Sequence, residues 1–415
     1  MKHLPNFLFC LLLTFCAQAQ SDNKIVIGTN DSVYSKILNE PRNIWVHVPD
    51  SGPGGIFTQE RYPVLYLLDG DAHFSSVVGM VQQLSSGGND ICPKMIVVGI
   101  PNTNRWRDLS PTHVKGGPYL DSAMVKTTGG GEAFLSFMEK ELMPYIETKY
   151  PTEPYRMLIG HSLGGLLAVH SLIHHPTLFN AYVAIDPSMW WDNWKLEKET
   201  QKVLKERKFD GTSLYLGIAN TMEGDMTIEK AKKDNSHSTE HIRSIFALDK
   251  MLSSNRQNQL KYRSKYYGDD THGSVPLITE YDALRFIFDF YPMKLRGKDY
   301  SDTTSALAIR IKKVCALRSE KLGYTVKPPE ELFNNLGYRA LNEKRFAQAE
   351  LYFKLNTDYY PNSFNVYDSF GDYFLEKGDI ENAILNFKKS LAIKEMPYTK
   401  QKVEVLEAGK PNAKD

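Results

Sequence analysis

The feature that most constrains this chain is the run Gly160-His161-Ser162-Leu163-Gly164-Gly165. An apolar segment, residues 155–159, precedes the run, and a segment of helical character, residues 166–174, follows it. Glycine at positions 160 and 164 removes the Cβ atoms that would clash in a very sharp turn. The pattern therefore predicts a strand, a strained turn with Ser162 at its tip, and a helix whose N-terminal N–H groups point at the serine.

Short apolar segments alternate with longer segments of helical character through most of the chain. The predicted strands are residues 44–48, 64–68, 95–100, 157–159, 181–185, 213–219 and 261–267, and the last of these is predicted as an edge strand. The predicted helices are residues 72–84, 132–149, 163–174, 191–207, 238–252 and 276–290. This alternation indicates an α/β fold, a mostly parallel sheet with helices on both faces. In such sheets functional residues collect at the carboxyl ends of the strands. The long polar connection 101–131 is predicted to form part of a cleft wall at those ends.

The N-terminal residues 1–19 have the features of a signal peptide, with Lys2, an apolar core at residues 8–15 and the cleavage signal Ala17-Gln18-Ala19. We therefore expect an exported protein, periplasmic or secreted. A formal net charge of +1 over 415 residues gives no field that would attract nucleic acid. No later segment is long and apolar enough for membrane insertion. The two remaining cysteines, Cys92 and Cys315, could form a disulfide or stay as buried thiols.

The C-terminal part of the chain contains an internal repeat with a period of 34 residues. Gly337 corresponds to Gly371 and Phe353 to Phe387 in this repeat. The period and the small residues predict two tetratricopeptide-like helix pairs at residues 326–400, which form a small all-α region. We expect a main domain at residues 20–295, a linker and helix at 296–325, and a polar tail at 401–415. Two repeats do not bury a continuous core alone, so they should pack on the helix near residues 305–318 and on the main domain. The repeats form either a helical cap or a groove for a protein partner.

A serine hydroxyl needs a base to become a nucleophile, and His272 has the expected position. His272 follows the last predicted strand and precedes the last helix of the main domain. The acid that would orient His272 is predicted in the loop after residues 213–219, with Glu223 favoured, Asp225 second and Asp186 a weaker alternative.

The other histidines after the serine fit less well. His170, His174 and His175 are interpreted as helix or loop residues. His237 and His241 have the i, i+4 spacing of metal ligands, but no third ligand is evident.

An oxyanion hole needs two backbone N–H donors. Leu163, directly after the serine, is predicted to supply one donor. The second is predicted at Asp71, in the loop after residues 64–68, where Gly70 permits a close approach.

Four motifs together resemble the putative esterase family, which includes esterase D, feruloyl esterases and siderophore trilactone esterases. The motifs are residues 66–70, the run 160–165, the segment 186–191 and the segment 272–275; Arg105 and residues 108–111 also resemble that family. The resemblance covers roughly residues 37–291. It implies an α/β-hydrolase fold and carboxylic ester hydrolysis without a metal or other cofactor. It matches Ser162 to the nucleophile and His272 to the base, whereas the acid motif is replaced by a longer run, residues 220–235.

The substrate is predicted to be a small-molecule or carbohydrate-linked ester, which would contact Trp190, Trp191 and Arg105. Two large aromatic side chains could stack on an aromatic acyl group, or could instead pack under the following helix. Three alternatives stay open: a siderophore trilactone hydrolase, an acyltransferase that uses the same site, and an inactive hydrolase body that binds a partner through its helical repeats.

Overall fold

The structure is a computed structural model that describes residues 24–50, 55–86, 88–117, 120–294, 296–301 and 304–409. The predicted signal peptide, residues 1–19, lies outside the described residues. Within these ranges, no helix combines the length and the apolar character that a membrane crossing requires. Cys92 and Cys315 are both free and buried.

The described residues form one eight-stranded sheet in the order β1-β2-β4-β3-β5-β6-β7-β8. The strands are β1 Thr29–Ser35, β2 Glu40–His47, β3 Tyr62–Leu68, β4 Ile96–Ile100, β5 Thr152–His161, β6 Ala181–Ile185, β7 Ser213–Ala219 and β8 Lys261–Tyr267. The first two strands pair antiparallel, and β2 also meets β4 antiparallel. From β4 to β8 every pair is parallel. The predicted α/β fold is therefore confirmed, with β8 at an edge.

Helices cover both faces of the sheet. In the first 290 residues they are α1 Gly70–Ser85, α2 Arg105–Asp108, α3 Ser122–Thr127, α4 Gly131–Phe137, α5 Met143–Lys149, α6 Leu163–His174, α7 Trp191–Glu206, α8 Ile228–Ala231, α9 Glu240–Ser254 and α10 Val275–Ile287. Alternate residues of β3 enter two separate cores: Tyr66 and Leu68 pack on one face, Leu65 and Leu67 on the other. This double burial is why the central strands are continuous apolar runs.

Three segments differ from the sequence prediction in detail. A π-helical turn, Met138–Leu142, joins α4 to α5 within the predicted helix 132–149. The first turn of α7 has left-handed backbone at Asp192, Asn193 and Trp194, so the helix is kinked where it leaves the sheet. The polar connection 101–131, for which no helix was predicted, contains α2 and α3.

The C-terminal part is all helical. Its helices are α11 Gly297–Ser301, α12 Ala306–Leu322, α13 Glu330–Asn342, α14 Phe346–Tyr359, α15 Phe364–Glu376, α16 Ile380–Ile393 and α17 Pro397–Ala408. A Cβ atom on Gly337 would lie 2.6 Å from the Phe353 ring, and one on Gly371 would lie 2.5 Å from the Phe387 ring. The period of 34 residues thus reflects two equivalent close helix contacts. Whether these pairs are tetratricopeptide repeats stays a prediction. Residues 401–408 of the predicted polar tail belong to α17.

The C-terminal helices contact the rest of the chain at defined points. Leu307, Ile311 and Cys315 of α12 share a core with Phe333 of α13. The Arg318 guanidinium donates to the Tyr291 carbonyl at 2.5 Å, and the Thr58 N–H donates to the Glu330 carboxylate at 2.9 Å. The helix pairs therefore pack through α12 and through direct polar contacts with the sheet-containing part.

Candidate active site

Ser162 forms a strained turn between β5 and α6. Its backbone has φ 59° and ψ −113°, a conformation that side-chain-bearing residues rarely adopt. The turn is possible because residue 160 is glycine: a Cβ atom there would lie 2.2 Å from the Gly164 carbonyl oxygen. The Ser162 N–H donates to the Ile185 carbonyl at 2.9 Å, which fixes the turn beside the carboxyl end of β6. The predicted strand, turn and helix are all present.

Asp186 follows β6 directly and is fully buried. Its Oδ2 lies 2.6 Å from His272 Nδ1, and its Oδ1 accepts the Ala219 N–H at 2.9 Å. Burial raises the pKa of Asp186, but the hydrogen bonds from His241 and His272 outweigh this effect and hold the pKa well below its usual range. Asp186 is therefore an ionised carboxylate that fixes the ring of His272.

The loop that carries His272 is attached to the end of β7. The Asn220 N–H donates to the Asp270 carbonyl at 2.8 Å, and Asp186 bonds the neighbouring Ala219. Ser162, Asp186 and His272 thus come from three loops at the same edge of the sheet. Since Nδ1 of His272 faces Asp186, Nε2 is the free ring nitrogen. The Ser162 hydroxyl is within hydrogen-bond distance of the Ser188 hydroxyl, at 3.2 Å, and no hydrogen bond joins Ser162 to His272 among the described residues.

Glu223, the favoured acid in the sequence analysis, is exposed, as is the second choice Asp225. No hydrogen bond or ion pair joins either carboxylate to His272 in the part of the chain that the structure describes. The geometry instead favours Asp186, the weaker alternative. The reason is that the run 220–235 after β7 lies at the surface, whereas Asp186 follows a central strand and takes up a left-handed backbone, φ 40°.

A second imidazole shares the Asp186 carboxylate. His241 Nε2 lies 2.8 Å from the same Oδ2 that accepts from His272, and the two rings meet edge to face with centroids 5.2 Å apart. The sequence has the i, i+4 spacing of His237 and His241 but indicated no third ligand for a metal. In the structure His237 bonds Glu240 at the surface. The contact of His241 with Asp186 had no signal in the sequence.

Two further histidines lie behind His272. The His161 ring lies 4.5 Å from the His272 ring and 5.9 Å from the His73 ring, measured between centroids. His161 Nε2 is buried without a hydrogen-bond partner among the described residues. Burial, with the nearby His272 and His73, lowers the pKa of His161 to about 4. His161 is therefore a neutral ring that packs against the candidate base.

The two predicted oxyanion donors lie at helix N-termini. Leu163 is the first residue of α6, and Asp71 is the second residue of α1, so neither N–H has an acceptor within its helix. A Cβ atom on Gly164 would lie 3.3 Å from Asp69 Oδ2, which shows that the two helix starts are adjacent. Gly70 is required where α1 begins, because a Cβ atom there would lie 2.6 Å from the Ile100 nitrogen.

Arg105, predicted to contact substrate, is engaged within the protein. Its Nε and Nη2 bond the two carboxylate oxygens of Asp69 at 2.7 and 3.0 Å, and Nη2 also donates to the His161 carbonyl at 3.2 Å. Burial raises the pKa of Asp69, but Arg105 and Asn102 lower it further than burial raises it. Arg105 therefore links the loop before α1 to the end of β5.

The paired tryptophans differ in their environments. Trp191 is 2% exposed, stacks on Trp106 and donates its Nε1–H to the Thr112 carbonyl at 3.1 Å. Trp190 is half-buried and lies tilted against Trp191. The packing alternative thus describes Trp191, and Trp190 is the aromatic side chain that a substrate could reach.

Comparisons with known proteins show which family this chain is similar to. The family model described as putative esterase matches residues 35–270. Ferri-bacillibactin esterase BesA of Bacillus subtilis is 32% identical over 196 residues, which are 45% of this chain and 66% of the relative. A siderophore triacetylfusarinine C esterase of Aspergillus fumigatus is 29% identical over 149 residues, 35% of this chain and 51% of the relative. The chain thus spans about half the length of the Aspergillus protein.

Solved structures extend the likeness. An IroE-like serine hydrolase from Shewanella oneidensis aligns with a TM-score of 0.66 and 29% identity, over 80% of this chain and 99% of the other. An uncharacterised protein from Capnocytophaga ochracea aligns over 92% of this chain and 99% of the other, with a TM-score of 0.55; at 19% identity it supports the fold alone. The family match covers more than half of the sequence and includes the strained serine turn and the Asp186 loop. The chain therefore belongs to the putative esterase family.

Proposed function

We propose that this protein is an exported serine esterase that hydrolyses carboxylic esters through an acyl-enzyme on Ser162. One observation carries the proposal: the buried Asp186 carboxylate holds His272 at 2.6 Å beside the strained turn of Ser162. An oriented imidazole near a part-buried serine hydroxyl at a helix N-terminus is the arrangement that nucleophilic ester hydrolysis requires.

In the proposed reaction, Ser162 Oγ attacks the ester carbonyl carbon while His272 Nε2 takes the hydroxyl proton. The carbonyl π electrons move to the oxygen, which accepts hydrogen bonds from the Leu163 and Asp71 N–H groups. Collapse of this intermediate breaks the bond to the alcohol oxygen, which leaves with the proton from His272. Water then attacks the acyl-enzyme carbonyl carbon while His272 Nε2 takes one of its protons. Collapse of this second intermediate breaks the bond to Ser162 Oγ, which takes the proton back from His272 as the acid leaves. Asp186 stays ionised and stabilises the charged imidazole.

Two internal contacts prepare this reaction. Ser162 Oγ, now 3.2 Å from the Ser188 hydroxyl, needs only a side-chain rotation to leave that partner. The ion pair of Arg105 with Asp69 holds the loop that precedes the Asp71 donor. We therefore assign Arg105 a positioning role, and Trp190 the contact with substrate.

The substrate class that we propose is a siderophore ester. The support comes from relatives that are named siderophore esterases, and from Trp190, whose half-buried ring could stack on an aromatic acyl group. Turnover of a catecholate trilactone, a feruloyl ester and an acetyl ester should be compared directly. We expect the highest kcat/KM for the trilactone, and equal values for all three would contradict this substrate class.

The mechanism is tested with Ser162→Ala and its matched control Ser188→Ala, assayed with a nitrophenyl ester. Loss of the nucleophile should lower kcat/KM by at least about 10³-fold. Loss of Ser188 removes only a resting hydrogen-bond partner and should lower the rate less than about tenfold. Hydrolysis by Ser162→Ala at the wild-type rate would contradict the proposal.

Two parts of the proposal concern the ends of the chain. We propose that residues 1–19 direct export. N-terminal sequencing of the protein recovered outside the cytoplasm tests this proposal, and the expected first residue is Gln20.

We also propose that the helix pairs α13–α14 and α15–α16 bind a protein partner. Deletion of this region should then leave nitrophenyl ester turnover intact in a chain that still folds.

A further inference from the structure

A second group of histidines and carboxylates lies at the opposite end of α6 from Ser162. Glu132 of α4 lies between His170 of α6 and His175, which follows α6. Its Oε1 contacts His170 Nε2, and its Oε2 lies 2.9 Å from His175 Nε2. One ligand atom from each of the three residues lies within 4.8 Å of the others. Two imidazole nitrogens and one carboxylate therefore converge on a single point.

The surroundings favour an ion that keeps solvent ligands. The His170 side chain is 8% exposed, whereas Glu132 and His175 are 51% and 33% exposed. One wall of the site is thus fixed and the other is open to water. Three protein ligands with an open position are a common arrangement for Zn²⁺. The imidazole donors select transition metals over Ca²⁺ and Mg²⁺, which prefer oxygen ligands.

We propose that Glu132, His170 and His175 form a binding site for a divalent transition metal ion of the Zn²⁺ class. Around a tetrahedral ion the donor atoms are roughly 3.4 Å apart, which lies between the 2.9 Å contact of Glu132 with His175 and the 4.8 Å limit of the whole set. The ion would join α4 to α6, the helix whose first turn carries the Ser162 elbow. At about 1.5 Å per residue, His170 lies about 12 Å and His175 about 20 Å along the helix axis from Ser162. The ion would therefore stabilise the fold without entering the reaction.

A neighbouring pair offers the principal competing assignment. His174 Nε2 lies 3.1 Å from Glu199 Oε2, and with His170 these residues form an overlapping set of three ligands. The Asp186, His241 and His272 group is a third set. An ion bound there would occupy the candidate base and inhibit ester hydrolysis, so activity distinguishes that location from the proposed one.

The test is zinc binding to the full chain by titration calorimetry and by thermal melting, with nitrophenyl ester turnover measured on the same samples. Wild type should bind one Zn²⁺ with an increase in Tm and unchanged turnover. Glu132→Gln combined with His175→Ala should weaken binding at least about 100-fold and abolish the increase in Tm, while turnover without zinc shows that the variant is folded. His237→Ala, which removes an exposed histidine outside all three sets, should bind like wild type.

Several results would overturn the assignment. These are a wild-type protein that does not bind zinc, a double variant that binds it with wild-type affinity, and stoichiometric zinc that inhibits turnover. Loss of binding in His174→Ala combined with Glu199→Gln, with binding retained in the Glu132 and His175 variant, would overturn it in favour of the neighbouring set. His175→Ala alone should weaken binding at least tenfold, and this single variant decides the matter if the double variant fails to fold.

Discussion

The two ends of α6 present the same chemical groups in different environments. At the N-terminal end, His241 and His272 share the carboxylate of Asp186; at the C-terminal end, His170 and His175 share that of Glu132. The Asp186 side chain is 0% exposed, whereas the Glu132 side chain is 51% exposed. Burial, and not the type of residue, is the main difference between the two groups.

This difference determines what each group can do. The buried carboxylate of Asp186 also accepts a backbone N–H from the end of β7, so its orientation and that of His272 are fixed. A fixed carboxylate can keep a base in one tautomer. Glu132 has half of its side chain exposed, so it has room to adjust to the geometry of an ion. The comparison thus assigns orientation of a base to the buried group and ligand binding to the exposed group.

The largest expected effect separates the two carboxylates directly. Asp186→Asn should lower kcat by about 10⁴-fold, because an amide cannot hold His272 in the required tautomer or stabilise its charge. Glu132→Gln and Glu223→Gln should both stay within about twofold of wild type. The assay is nitrophenyl ester turnover in the presence of a metal chelator. A large loss in Glu223→Gln, with Asp186→Asn active, would restore the acid that the sequence favoured.

Glu280 is a third carboxyl group to compare with Asp186 and Glu132, because it is buried but has no imidazole at hydrogen-bond distance. Glu280 is 1% exposed, and neither of its oxygens has a hydrogen-bond partner among the described residues; His73 Nδ1 lies 3.9 Å away. Burial raises the pKa of Glu280 to about 8. In the unfolded chain this carboxyl ionises near its usual pKa of 4.5, so the unfolded state loses its proton first and the free energy of unfolding falls between pH 4.5 and 8.

Glu280→Gln should remove this loss. Above pH 8 we expect the variant to exceed wild type in the free energy of unfolding by about 3–5 kcal/mol, since one pKa unit corresponds to about 1.4 kcal/mol, with little difference at pH 4. Denaturant unfolding across this range measures the effect, and Glu320→Gln on the surface is the control. A difference that does not change with pH would contradict the assigned protonation.

The smallest effect concerns the second imidazole on Asp186. In His241→Ala the Asp186 Oδ2 atom keeps only His272 as an imidazole partner, so the candidate base is still held. We therefore expect kcat/KM for a nitrophenyl ester at pH 7 to change by less than about tenfold. His174→Ala, at the other end of α6, should leave kcat/KM unchanged with chelator present. A loss as large as that of Asp186→Asn would contradict the assignment of His272 as the base.

Local patterns were sufficient to predict most of the fold. The Ser162 turn was predictable because its steric requirement is local. A Cβ atom at position 160 would clash with the carbonyl oxygen of Gly164, only four residues away, so the turn requires glycine at position 160. The central strands were predictable because burial on both faces makes them apolar. The edge strand β1 and the helical residues 401–408 were missed, since both are largely polar and owe their structure to tertiary pairing.

The candidate site was less predictable because its groups meet through long-range contacts. Asp186 and His272 are 86 residues apart, and Asp186 and His241 are 55 residues apart. The motif at residue 162 predicted the candidate nucleophile, and chain order predicted His272 as the candidate base. Nothing local distinguishes Asp186, after β6, from Glu223, after β7. The convergence of Glu132 with His170 and His175 likewise depends on the packing of α4 against α6.

The most direct test of the account is fluorophosphonate labelling followed by peptide mapping, because the probe reacts only with a serine that an oriented base activates. Wild type should carry one adduct, on Ser162, and His272→Ala and Asp186→Asn should label far more slowly, whereas Glu132→Gln should label at the wild-type rate. A wild-type protein that hydrolyses esters with no adduct on Ser162, or that labels equally fast without His272, would contradict the account.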